Sequence, residues 1–348
     1  MSNDPHDAEG PAVAPDADDD LDELIHRADL DGLVRLVDAR TASRDWAGLL
    51  RTRDRARHAL RSGRQLWPVA TLCEYRLALW SPADWACRVL DEDSGRFTIG
   101  PLTEVVAQHH TFAELAPHLP GGPRAGFVAH ERAARGDVIG TGVPNPLDLP
   151  FERQRWEPTP PLATYGDDGV DAPPPAAPLA ASFSAPRSGG RRAVTDRAPV
   201  VDDASVALAV RQLFDPWTTS SDGHVEVVCV EGDAGDAVAA LGVPGARLAR
   251  LEPHDALGWL MWAGASGGAH GRRRGTAIGR FGTWWLLAAL GDLLDEWPVP
   301  SADLASLVDD LAWWWWDAGE PALGWEVQLV VEDRGEGYAW AISAHDAA

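Results

Sequence analysis

The chain has 348 residues and a formal net charge of −23, from 53 Asp and Glu against 30 basic residues, every one of them Arg. The absence of Lys excludes a P-loop, a protein-kinase nucleotide site, a Schiff-base Lys and a Ser-Lys nucleophile pair. Cys73, Cys87 and Cys229 are far apart, with no C-x-x-C among them, which leaves no disulfide framework and no zinc ribbon.

Residues 1–20 carry seven acids and no Arg, and their low hydrophobic content predicts a disordered acidic tail. They have neither a basic start nor an apolar run, and the longest apolar stretch, from Phe281 to Gly291, is too short to span a bilayer. The expectation is a cytoplasmic protein. From residue 21 to 155 the charges balance and the periodicity turns helical. Leu30, Leu33, Val34 and Val37 recur at i, i+3, i+4, i+7, as do Leu66, Val69, Ala70 and Cys73. Ser81-Pro82-Ala83-Asp84 reads as a helix start, and Thr111-Phe112-Ala113-Glu114 as a capping box. Six or seven short helices on short turns predict an all-helical domain, a bundle or short helical array, over 21–155.

Residues 156–200 are rich in Pro, Ala, Gly and Ser and read as a linker without a core. Residues 201–348 hold twenty-three acids, eight Arg and twelve of the seventeen Trp. There the pattern predicts a helix over 203–214 and a mid-sheet strand from Val225 to Val230. A short helix, Asp236 to Leu241, then leads to a strand from Ala246 to Leu251 in a βαβ unit. Helices follow over 254–265, 276–296 and 302–316, the last capped by Ser301. Alternation from Trp325 to Val331, then Gly335-Glu336-Gly337, then Tyr338, Trp340 and Ile342, predicts a closing hairpin. The fold class expected is α+β: a helical domain followed by an α/β-type domain with a small mixed sheet.

The segment Ser266-Gly-Gly-Ala-His270-Gly-Arg272-Arg273-Arg274-Gly275, followed by Arg280, gathers four of the eight Arg of this acidic half. Glycines let the backbone approach a ligand, and a helix follows, so Arg272, Arg273, Arg274 and Arg280 are the candidate anion ligands. His270 is the candidate acid or base. The bland alternative pairs these Arg with the protein's own acids, such as Asp309, Asp310 or the tail. The tail, through Asp18 to Asp20, could also cover the loop. Gly264-Ala265-Ser266-Gly267-Gly268 formally matches a nucleophile elbow, with Ser266 as nucleophile and His345 downstream. The residues before it read as helix, however, and an elbow needs a strand there. His109, His110, His118 and His130, with Glu131, lack metal-site spacing, so no metal is expected. On a helix, four consecutive tryptophans would point in all directions. That makes Trp313 and Trp316 candidates for a partner interface.

The string from Gly63 to Trp80, the Ser266–Arg280 loop with Trp284-Trp285, and the run from Asp317 to Asp346 resemble an uncharacterised family of two-domain proteins from high-GC bacteria. The resemblance implies no activity and no site residue. Two functions are therefore expected from the residues themselves. One is a non-enzymatic protein-interaction role for the Trp-rich domain. The other is binding of a small anion or nucleotide by the Gly/Arg loop, with enzymatic activity open. No cofactor is implied, and net negative charge disfavours nucleic acid and anionic membranes as partners.

Overall fold

A computed structural model of the chain describes residues 17–91, 94–184, 198–319 and 324–347. Of the acidic tail, residues 1–16 lie outside the described residues, and Ala17 already belongs to the first helix.

The N-terminal half is helical: α1 (Ala17–Arg27), α2 (Leu30–Ala42), α3 (Trp46–Arg61), α4 (Trp67–Trp80), α5 (Ala83–Ala86), α6 (Leu102–Val106), α7 (Phe112–Leu115) and α8 (Pro123–Ala134). Asp29 and Asp45 cap α2 and α3, accepting from the backbone N–H of Gly32 and Gly48. The expected capping box at Thr111 and Glu114 is formed in both directions. Ser81 does not cap; its hydroxyl donates back to the carbonyl of Leu77, at 2.6 Å. Leu33, Leu49, Leu66, Leu77 and Val105, all fully buried, form the core of this half.

Of the segment expected as a linker, residues 156–171 are built into the protein. Trp156 and Glu157 are buried, and a hairpin of β1 (Thr164–Gly166) and β2 (Gly169–Asp171) packs Tyr165 into the helical core. Residues 185–197 lie outside the described residues.

The C-terminal half contains β3 (Val200–Val201), α9 (Ala204–Leu213), α10 (Asp215–Thr219), β4 (His224–Glu231), α11 (Ala234–Ala240), β5 (Arg247–Leu251), α12 (Pro253–Ala265), α13 (Thr276–Leu290), α14 (Ser301–Asp310), β6 (Leu311–Asp317), β7 (Trp325–Asp333) and β8 (Tyr338–Asp346). Its six strands run in the order β3-β4-β8-β7-β6-β5. The architecture is α+β, helices first and sheet second, and all neighbouring strand pairs are antiparallel rather than mixed. The expected βαβ neighbours, β4 and β5, run in the same direction but with three strands between them. The chain crosses by α11, which packs on β4, β7 and β8. β4 lies one strand from the edge, and Val225 and Val227 are only half-buried.

The largest departure from the sequence reading is at Trp313–Trp316. The helix expected to run to residue 316 ends at Asp310, and the tryptophans form β6, paired on both sides. Asp309 and Asp310 oppose the helix dipole at that end, and aromatic residues favour a pleated, buried surface. In a strand the four rings alternate. Trp313 and Trp315 enter the core under α12 and α13, while Trp314 and Trp316 pack on the opposite face with α11. A sheet covered on both faces buries Trp313, Trp315 and Trp316 and half-buries Trp314, which a helix surface could not do. Ser301 opens α14 without capping it; its hydroxyl accepts from Trp156 Nε1 at 3.0 Å and donates to Gln154 at 2.9 Å.

Candidate functional site

The Gly/Arg loop joins α12 to α13 and wedges between the two halves. Gly267 and Gly271 cross so closely that a β-carbon on either would lie within 2.2 Å of the other's carbonyl oxygen. Ala269 N–H donates to buried Asp346 at the end of β8, at 2.6 Å, which ties the loop tip to the sheet. Gly275, at φ +100°, ends the loop where a side chain would strike the Glu131 carboxylate and Pro101.

The helix N-terminus that follows does bind anions, and they are the protein's own. Glu104 on α6 accepts from Arg273 Nε and Nη2, both at 2.9 Å, from Thr276 Oγ1 at 2.8 Å and from Thr276 N–H at 3.2 Å. Tyr165 donates to its second oxygen at 2.6 Å. Glu131 on α8 accepts from Ala277 N–H at 2.8 Å, and Arg135 lies 3.3 Å away. Burial would raise Glu104, but the Arg273 guanidinium outweighs it and holds that carboxyl below the usual range. Burial, with Glu104 beside it, pushes Glu131 up to about 7. Arg280 on α13 makes a second clamp: it pairs with Glu157 through Nε at 2.6 Å and Nη2 at 2.8 Å and donates to the carbonyl of Pro150 at 2.7 Å. Arg274 donates to the carbonyl of Gln212, at 3.0 Å.

Arg273 and Arg280 are thus ion-paired to the helical half and its wrapping segment, through Glu104 and Glu157. These are neither the Asp309 and Asp310 nor the tail of the bland sequence reading. Carboxylates at a helix N-terminus with bidentate Arg partners supply the same physics that a bound phosphate would. The signal was present in the sequence, but the partners lie 123 and 169 residues away.

The other candidates are placed as follows. Ser266 closes α12 as a helix end, not as a strand-to-helix elbow; its buried hydroxyl accepts from Trp217 Nε1 at 2.9 Å and donates to the carbonyl of Ala263 at 2.9 Å. His270 and His345 are exposed. His109 stacks on Trp80, His110 lies 3.0 Å from the carbonyl of Ser81, and His130 lies 2.9 Å from Asn145. No group of three or more His, Cys, Asp or Glu among the described residues could hold a metal, and no described helix is long and apolar enough to cross a membrane. Trp313 and Trp316 are 0% and 3% exposed, so the surface patch expected around them is core instead.

Arg272 differs from the ion-paired Arg273 and Arg280. It reaches over the helical half, and its hydrogen bonds go to the carbonyls of Arg96 and Gly100, at 3.3 and 3.1 Å, and to Thr98 Oγ1, at 3.1 Å. All three acceptors are neutral, and desolvation lowers this guanidinium from its ordinary value. It lines a cleft of about 980 Å³ together with Arg57, Arg61, Arg96 and Arg124. The carboxylate lining the same cleft, Glu74, is already held by Arg57 at 2.6 Å and by Gly95 N–H at 2.8 Å. Among the described residues Arg61, Arg96 and Arg124 have no ion-pair partner. Trp67 and Phe97, 41% and 55% exposed, line the cleft with ring centroids 4.8 Å apart. Of these lining groups the sequence pointed to Arg272 alone; the rest come from α3, α4, α8 and the turn before α6, which no local pattern connects.

No curated protein and no solved structure matches the chain. The model of one family matches residues 31–348, across the helical half, the wrapping segment and the sheet. The chain belongs to that family, a family of unknown function (DUF6183).

Proposed function

We propose that the protein binds a small ligand bearing both a phosphate chain and an aromatic ring, of the nucleoside polyphosphate type, in the cleft between α3, α4, α8 and the Gly/Arg loop. The observation that carries this reading is the cleft's charge: of the five guanidiniums lining it Arg57 is paired with Glu74 and Asp91, and Arg61, Arg96, Arg124 and Arg272 have no ion-pair partner among the described residues. In a chain of net charge −23 such a concentration of positive charge is local and focused. Guanidinium forks suit phosphate oxygens, and the exposed Trp67 and Phe97 offer faces on which a base can lie. A volume of about 980 Å³ is within the range of small-molecule sites. A long polyanion would meet the acidic sheet half, with twenty-three acids against eight Arg, whereas a compact ligand need not.

The test is calorimetric titration of the full chain with ATP, inorganic triphosphate and adenosine, each free of metal. ATP should bind at least about tenfold more tightly than either fragment, because both halves of the cleft are engaged. Equal affinity for triphosphate and ATP, or no ATP binding, would refute the reading.

A further inference from the structure

Two histidines far apart in the sequence meet on the sheet. His224 opens β4 and His345 lies near the end of β8, and the antiparallel register sets them directly opposite one another. Directly opposed residues share a face of the sheet, so both imidazoles project to the same side. Both residues are exposed, and their ring centroids are 5.6 Å apart. Neither imidazole hydrogen-bonds to another of the described residues, which leaves ring nitrogens of both open to a ligand.

The backbone beneath them is fixed. Gly223 N–H donates to the carbonyl of Trp217 at 2.8 Å. A β-carbon on Gly223 would lie 2.5 Å from that carbonyl oxygen and 3.0 Å from the carbonyl oxygen of His345. The chain therefore enters β4 pressed against β8 where His345 sits. Next to His345, Asp346 is fully buried and accepts from Ser221 Oγ at 2.8 Å and from Ala269 N–H at 2.6 Å. Strands hold a pair of ligands more precisely than loops do, and here only the exposed side chains remain to turn.

The chemistry of the pair narrows the ligand. A neutral imidazole offers a nitrogen lone pair, and imidazole suits zinc, copper and nickel. With Zn–N bonds of about 2.0–2.1 Å, two imidazoles on one tetrahedral ion have ring centroids about 5 Å apart. The observed 5.6 Å is within a small side-chain rotation of that spacing. The field around the pair favours a cation. Glu226 follows His224 on the same face, and Glu326 on β7 stands opposite His345. An anion would meet those two carboxylates instead. We infer that His224 and His345 form a two-histidine site for a divalent transition metal of the zinc class, with water completing its coordination. The ion would bridge β4 and β8. This inference does not depend on the Arg-lined cleft.

The test is calorimetric titration of the full chain with Zn2+ near neutral pH, with Mg2+ and Ca2+ as oxygen-seeking controls. The three cysteines are buried, so the folded chain presents histidines and not thiols to the metal. One Zn2+ per chain should bind with a micromolar Kd and raise the melting temperature. Mg2+ and Ca2+ should do neither. His224→Ala and His345→Ala should each weaken Zn2+ binding at least about tenfold. His118→Ala, exposed in the helical half, should leave it unchanged. Both paired histidines are exposed, so neither variant should shift the melting temperature of the metal-free protein. They lie on different strands, so either variant alone carries the test. No Zn2+ binding at about 100 μM, equally tight binding of Mg2+, full affinity in either paired-histidine variant, or an equal loss in His118→Ala would overturn the inference.

Discussion

Replacing Glu131 by Gln should flatten a pH dependence of stability that the wild-type interface imposes. Glu131 is 1% exposed, and burial beside Glu104 moves its carboxyl from 4.5 to about 7. The folded protein thus holds this proton more tightly than the unfolded chain does. The resulting stabilisation is complete below pH 4.5, is lost as the pH rises from 4.5 to 7, and changes no further above that. At about 1.4 kcal/mol per pH unit, the loss is about 3 kcal/mol. Gln keeps an oxygen to accept from Ala277 N–H, now at 2.8 Å, and cannot ionise. Urea unfolding of both proteins between pH 4.5 and 8.5 gives the difference directly, because the remaining acids titrate alike in each. The variant should gain on the wild type by about 3 kcal/mol across that range, most of it below pH 7. Parallel curves, or a wild type that gains on the variant as pH rises, would refute the upward shift of the Glu131 carboxyl.

Three further outcomes follow from the same contacts. Glu104→Gln leaves Arg273 buried without its counter-ion and should cost about 3–5 kcal/mol in denaturant unfolding, far more than a surface pair would. Trp313→Ala empties a fully buried site and should cost about 3–5 kcal/mol; a loss under about 1 kcal/mol would mean that β6 is not embedded as described. The three thiols should resist alkylation at pH 8 until the protein unfolds. All are buried, and burial, aided by Asp84 and Asp203, pushes Cys87 up to about 12 and Cys229 to about 11, while burial and Glu74 raise Cys73. Mass spectrometry of the native protein after iodoacetamide treatment checks this.

What the sequence discloses, and what it hides, divides along one physical line. Features set by neighbours within a turn were legible: the Thr111–Glu114 capping box, the closing hairpin through Gly335-Glu336-Gly337, and the helix now bounded by Ala204 and Leu213. Trp313–Trp316 was misread because a run apolar on both faces has no periodicity of its own; pairing with β5 and β7 decides it. Residues 156–200 read as a linker by composition, yet Trp156, Glu157 and Tyr165 are each buried through contacts with distant residues: Ser301, Arg280 and Glu104. The Gly/Arg loop was visible as an anion-seeking segment. Composition could not say that Arg273 and Arg280 meet internal carboxylates while Arg272 turns into a cleft with Arg61, Arg96 and Arg124.

The cleft is the centre of the account, and one comparison tests it most directly: calorimetric titration of ATP into the wild type and into the Arg96→Ala/Arg124→Ala double variant. Neither guanidinium has an ion-pair partner among the described residues, so their removal should leave the fold intact. Charge-assisted contacts to phosphate are worth enough that the double variant should bind ATP at least about tenfold more weakly, with a shallower dependence on salt. Unchanged affinity and an unchanged salt dependence in the double variant would contradict the account.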